Sequence, residues 1–142
     1  MKRLSIIAYI AILVIGCSSQ HTEEDKASGA VSVVVVESSV CWDGDSLPLY
    51  PEGTPKVTLL RINIPPKSKL DIHKHPIINV GYMTKGELIV TSETGKKLHL
   101  KTGDGIVELV DKYHYGENPG DEMAEIIVFY AGNTESVLTE YK

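Results

Sequence analysis

Lys67-Ser68-Lys69-Leu70-Asp71-Ile72-His73-Lys74-His75-Pro76-Ile77-Ile78-Asn79 is the stretch on which the fold turns. Two histidines stand two residues apart in it. Side chains of a β-strand alternate faces, so both imidazoles leave on one side while Lys74 leaves on the other. Imidazole is the commonest zinc ligand and also serves iron, copper and nickel, so a converging pair begins a metal site and a third ring completes one.

Outward from this stretch the chain consists of short β-rich runs divided by turn signals, with no long helical periodicity. The expected strands are Val31 to Val36, Val57 to Ile64, Leu70 to His75, Val80 to Thr84, Glu87 to Thr91, Lys96 to Leu100, Ile106 to Val110 and Ala124 to Tyr130. In the second, Leu60, Ile62 and Ile64 share one face, with Arg61 and Asn63 on the other. Pro65-Pro66 ends it, because proline lacks the ladder N–H and restricts the residue before it. Turns are expected at Asp43-Gly44-Asp45, Lys85-Gly86, Glu93-Thr94-Gly95, Lys101 to Gly105 and Asn118 to Asp121. About eight to ten short strands at this spacing predict an all-β fold, a small barrel or two-sheet jelly roll. No internal repeat or second folded domain is visible.

The spacing His73-x-His75, three residues, Asn79, six residues, Gly86 resembles the first motif of the cupin family, G-x5-H-x-H-x3,4-E-x6-G. Lys67 stands at its leading glycine and Asn79 at its glutamate. Gly103, His114 and Asn118 resemble the second motif, G-x5-P-x-G-x2-H-x3-N, with Leu109 for the proline and Asp111 for the second glycine. The resemblance implies a double-stranded β-helix (jelly-roll) cupin barrel over residues 31–142. It also implies a divalent metal ion (Fe, Mn, Zn, Ni or Cu) in the wider mouth, held by His73, His75 and His114. Cupins often dimerise, and a long apolar edge such as Val31 to Val36 needs cover, so a homodimer is expected.

Three neutral imidazoles and a neutral amide would leave a bound ion its full double charge, which favours an anionic substrate group. Asn79 is either a fourth ligand through its amide oxygen or, by preference, a hydrogen-bond partner of a metal-bound water or a histidine. A three-histidine site keeps open coordination positions, as catalysis at a metal requires. The competing reading is a metal-free barrel whose histidines satisfy one another. Trp42, Tyr82, Tyr113 and Tyr115 are candidate pocket residues, against the plainer reading of core or rim packing. Asp71 shares the parity of the histidine pair. Glu108 alternates with Ile106 and Val110 and is either an inward acid or, by preference, half of an edge salt bridge. His21 and His99 are expected on the surface, and Cys41 is expected as a buried small hydrophobe.

At the start of the chain, Met1-Lys2-Arg3 precedes an apolar run from Leu4 to Ile15 and then Gly16-Cys17-Ser18-Ser19. A twelve-residue helix rises only about 18 Å against a bilayer core of roughly 30 Å, so residues 1–16 fit a signal peptide. Val14-Ile15-Gly16-Cys17 resembles a bacterial lipobox, with Cys17 the lipidated residue; ordinary cleavage with a free thiol is the simpler alternative. Residues 17–30 are small and polar, a tether of ~20 Å reach. These features predict export to the cell envelope or periplasm, with membrane contact only through an N-terminal lipid.

The formal charge is −5 and no lysine or arginine cluster occurs, which excludes nucleic acid as a partner. Two functions of different class follow. One is a small-molecule metalloenzyme, dioxygenase-like with iron or isomerase-like with zinc or manganese. The other is a non-catalytic cupin that binds metal or a small ligand. A titratable group converging on the metal position favours the enzyme, and an apolar or collapsed cavity favours binding.

Overall fold

The computed structural model describes residues 29–142. The signal peptide, lipidation at Cys17, and His21 lie outside the described residues, as does all but the end of the tether. From Val33 to Lys142 the chain forms one body. Its strands are β1 (Pro55–Ile64), β2 (His73–Lys74), β3 (Asn79–Lys85), β4 (Glu87–Ser92), β5 (Lys97–Lys101), β6 (Gly105–Val107), β7 (His114–Glu117), β8 (Ala124–Asn133) and β9 (Glu140–Tyr141). They build an antiparallel jelly roll of two sheets, ordered β1-β8-β3-β6 and β5-β4-β7-β2-β9. No helix occurs among the described residues.

Alternation sets the core. In β1 the inward Leu60, Ile62 and Ile64 pair with Val128, Ile126 and Ala124 of β8. Met83 of β3 meets Ile126 from the other side, and Leu88 and Val90 of β4 face Leu100 and Leu98 of β5. These apolar pairs on the two inner faces form the core between the sheets.

Three expected strands differ. Val31 to Val36 enters no ladder and is largely exposed. Its β propensity finds no partner edge, and Val34 to Val36 instead lie over the outer face of the four-stranded sheet, beside Leu59, Tyr82 and Phe129. Leu70 to His75 contracts to His73–Lys74, flanked by isolated bridges Lys69↔Glu117 and His75↔Val110. Ile106 to Val110 ends as a strand at Val107, because the chain then turns inward and buries Glu108 and Leu109.

The two departures from the motif glycines retain the glycine conformation. Lys67 and Asp111 have φ of 53° and 54° and are the non-glycine residues in the left-handed region among those described. Gly86, the motif glycine between β3 and β4, has φ of 73°, and a Cβ there would come within 3.0 Å of Ala124 Cα. Buried Asn118 closes the turn after β7. Its Nδ2 donates to the carbonyls of Ile64, Pro65 and Glu122, and its Oδ1 accepts from Gly120 N at 2.9 Å.

Candidate metal centre

Strand register brings the histidines together. His73 of β2 sits directly opposite His114 of β7, and His75 continues along the same face into its bridge with Val110. One nitrogen from each ring lies within 4.8 Å of the others. The ring centroids are 4.7 to 5.1 Å apart.

Each Nδ1 donates to a main-chain carbonyl: His73 to Asp71 O at 2.7 Å, His75 to Leu138 O at 2.8 Å and His114 to Lys112 O at 2.9 Å. A ring that donates from Nδ1 presents an unprotonated Nε2, so the three bonds fix three ligand lone pairs. Burial favours the neutral ring throughout. It pushes His75 down to about 4 and lowers His73 and His114 from the ordinary imidazole value.

Ion pairs on the outside hold the carbonyls and strands in place. Lys74 points away from the site, as strand alternation requires, and bonds Asp111 and Glu140, each at 3.2 Å. Lys112, whose carbonyl orients His114, is clamped by Asp43 at 2.7 Å and by Asp45.

The histidines line a cavity of about 350 Å³ between the sheets. Its walls are mainly aliphatic, including Leu60, Ile62, Leu88, Val90 and Val128, and its polar groups include Glu108, Thr139, Tyr130 and Tyr141. Asp71 lies at the exposed rim and contributes its carbonyl to His73.

Glu108 is not half of an edge salt bridge. The backbone of Trp42 covers the β6 edge by donating to Val107 O at 2.9 Å, while the parity of Ile106 sends Glu108 inward. Its side chain is buried, and its Oε2 lies 3.7 Å from His114 Nε2 without a hydrogen-bond partner of its own among the described residues. Burial pushes its carboxyl up to about 7.

The four proposed pocket aromatics do not line this cavity. Tyr82 alternates with the inward Gly81 and Met83 and is exposed on the outer face. Tyr113 and Tyr115 flank inward His114, so both point outward and sit under Lys74, Lys142 and Lys69. Trp42 packs against the core from a loop. Asn79 is buried, but its Nδ2 donates to Ile77 O at 3.3 Å, its Oδ1 has no partner, and it is not among the cavity-lining residues. His99 is exposed and bonds Glu87 at 2.6 Å.

Sequence reasoning missed the C-terminal segment. Leu138 anchors His75, β9 pairs with β2, and the ring of Tyr141 lies 6.2 Å from that of His73. Only the weak alternation of Thr139-Glu140-Tyr141 marked it.

Three oriented imidazole nitrogens form a donor set that fits a divalent ion, without thiolates, and the unpartnered buried oxygen of Glu108 lies beside it. A family model described as the cupin domain matches residues 60–130. Comparison with curated proteins gives no match. Among solved structures, the oxalate decarboxylase of Lactobacillus farciminis, in a formate complex, is 20% identical, covering 60% of this chain and 26% of its own, with a TM-score of 0.52. An oxalate oxidase bound to the substrate analogue glycolate is 22% identical, covering 60% of this chain and 45% of its own, at 0.52. A DMSP lyase from Ruegeria pomeroyi is 17% identical, covering 61% and 43%, at 0.53. The chain spans less than half the length of each, and the likeness is one of fold.

Proposed function

From the premise that this chain belongs to the cupin domain family, we propose that it is a metalloenzyme of a small, anionic molecule. The carrying observation is that three imidazoles, each fixed through Nδ1, converge on an open cavity of about 350 Å³. That volume suits a small molecule. His73, His75 and His114 would hold the ion, and a bound divalent ion supplies Lewis-acid chemistry or, as iron, redox chemistry. The aliphatic walls exclude water and strengthen charge interactions inside. A centre with net positive charge among those walls favours an anion. Oxalate, named for two of the structural neighbours, is of that class. The second titratable group facing the centre, Glu108, favours an enzyme over a passive binder.

The test is elemental analysis of protein purified without chelators, repeated on His73→Ala and His114→Ala. We expect about one equivalent of metal per chain in the parent and a loss of most of it in the variants. Equal metal in all three overturns the site. Oxygen uptake by the Fe(II)-loaded protein across thiols, phenols, diketones and small carboxylates then sorts the reaction class.

The reading extends to place and assembly. Cys17, acylated after removal of residues 1–16, would tether the domain to a membrane of the cell envelope; a Cys17→Ser protein that still fractionates with membranes contradicts this. A second copy of the chain would cover the outer apolar face around Leu59 and Phe129, which are 66% and 41% exposed.

A further inference from the structure

We infer that Glu108 supplies the carboxylate of the metal centre, from the chain segment adjacent to the Asn79 position where the family motif carries it. This rests on the reading of His73, His75 and His114 as a metal site. Positions 79 and 108 are neighbours across two segments. Val80 pairs with Val107, and Glu108 N donates to Asn79 O at 3.1 Å. A carboxylate moved from one position to the other therefore stays on directly neighbouring backbone, and of the two positions it is 108 that lines the cavity.

Three observations point the Glu108 side chain at an ion. It lines the same cavity as the histidines. Its Oε2 is 3.7 Å from His114 Nε2, a separation that two donors of one ion, each about 2.0–2.2 Å from it, can have. That same oxygen is buried and unpartnered among the described residues. A buried carboxylate oxygen without a hydrogen-bond partner is costly, and a cation in the cavity removes the cost.

Asn79 does not compete for the role. Its amide is turned to the Ile77 carbonyl of its own segment, outside the cavity lining. The centre then carries three imidazoles and one carboxylate, with a single net positive charge when a divalent ion is bound. An anion is still favoured, and the ion is held more firmly than three imidazoles alone would hold it.

The test is calorimetric titration of Mn(II) and Zn(II) into the metal-free parent, Glu108→Gln and Asn79→Ala. Glu108→Gln is expected to bind at least ~10-fold more weakly, and Asn79→Ala within about two-fold of the parent. The metal-free thermal midpoint of Glu108→Gln should be unchanged or higher, since glutamine fills the same space without a buried charge. Glu108→Gln binding within two-fold of the parent overturns the inference. A large drop in its metal-free midpoint also overturns it, by making the carboxylate a structural group, and so does intact metal affinity with lost turnover, which would make Glu108 only a proton carrier. A parent that binds neither metal, or a His114→Ala protein that binds both as the parent does, instead defeats the underlying metal-site reading.

Discussion

Lys67 and Asp111 occupy left-handed backbone where the motif has glycine, at a cost of about 1–2 kcal/mol for a residue with a Cβ, less for Asp. Lys67 makes surface contacts to Pro119 O and Asp121, of a kind worth at most about 1 kcal/mol. Lys67→Gly should therefore stabilise the protein by up to about 1 kcal/mol, read as a raised urea midpoint at unchanged slope. The site histidines give a pH dependence in the metal-free protein. Because burial holds His75 near 4, the unfolded chain protonates first as pH falls through about 6.5, and stability is lost between there and about pH 4. His75 alone accounts for on the order of 3 kcal/mol, and His73 and His114 act in the same direction. Glu108, held near 7, has the opposite sign: the folded state keeps its proton between about pH 7 and 4.5, an effect of the same order as that of His75, and so it offsets the histidine loss in the parent. Urea melts of the metal-free Glu108→Gln protein, in which the histidines act without that offset, should show lower stability at pH 5 than at pH 7.5, and a steeper loss than in the parent; a flat profile in the variant contradicts the buried neutral histidines. Parity made the histidine pair legible, and the same rule would have sent Tyr113 and Tyr115 outward. Glu108 was legible only by halves, since alternation gives its direction, whereas the cover over the β6 edge comes from Trp42, far away in sequence.

Among the elements, β2 is the most dependent on others, with two residues held between β7 and β9. Two paired residues have no local signal strong enough to read, and they are ordered by strands that arrive from the far end of the chain. Proline and glycine punctuation, by contrast, marked β1, β3, β4, β5 and β8 closely, because their ends are local events. Removing residues 134–142 deletes β9 and the Leu138 carbonyl while leaving the apolar pairs of β1, β3 and β8 intact. The truncated protein should keep its β-rich circular dichroism and lose at least ~10-fold in metal affinity, since His75 loses the bond that fixes its ring. Retained affinity would show that β9 is dispensable to the site. The valine run failed as a strand for the complementary reason: high propensity does not supply a ladder.

For the molecule as a whole, the sheets differ in what they leave outside. The four-stranded sheet presents Leu59, Tyr82 and Phe129 beside the valine segment, which is the face proposed for a second copy. Phe129→Glu should shift the protein toward monomer in sedimentation velocity without altering metal content, as the outer face is remote from the inward histidines; unchanged sedimentation contradicts that interface. Two-layer architecture was readable from strand spacing, whereas assembly was not, because outward apolar residues on one strand look the same whether covered or bare. The carbonyls that orient the three imidazoles come from Asp71, Lys112 and Leu138, three stretches that adjoin only when β2, β7 and β9 have assembled in the five-stranded sheet. A nascent or half-folded chain thus has no pocket to offer an ion, and the choice of metal is made from whatever the surroundings contain where folding finishes.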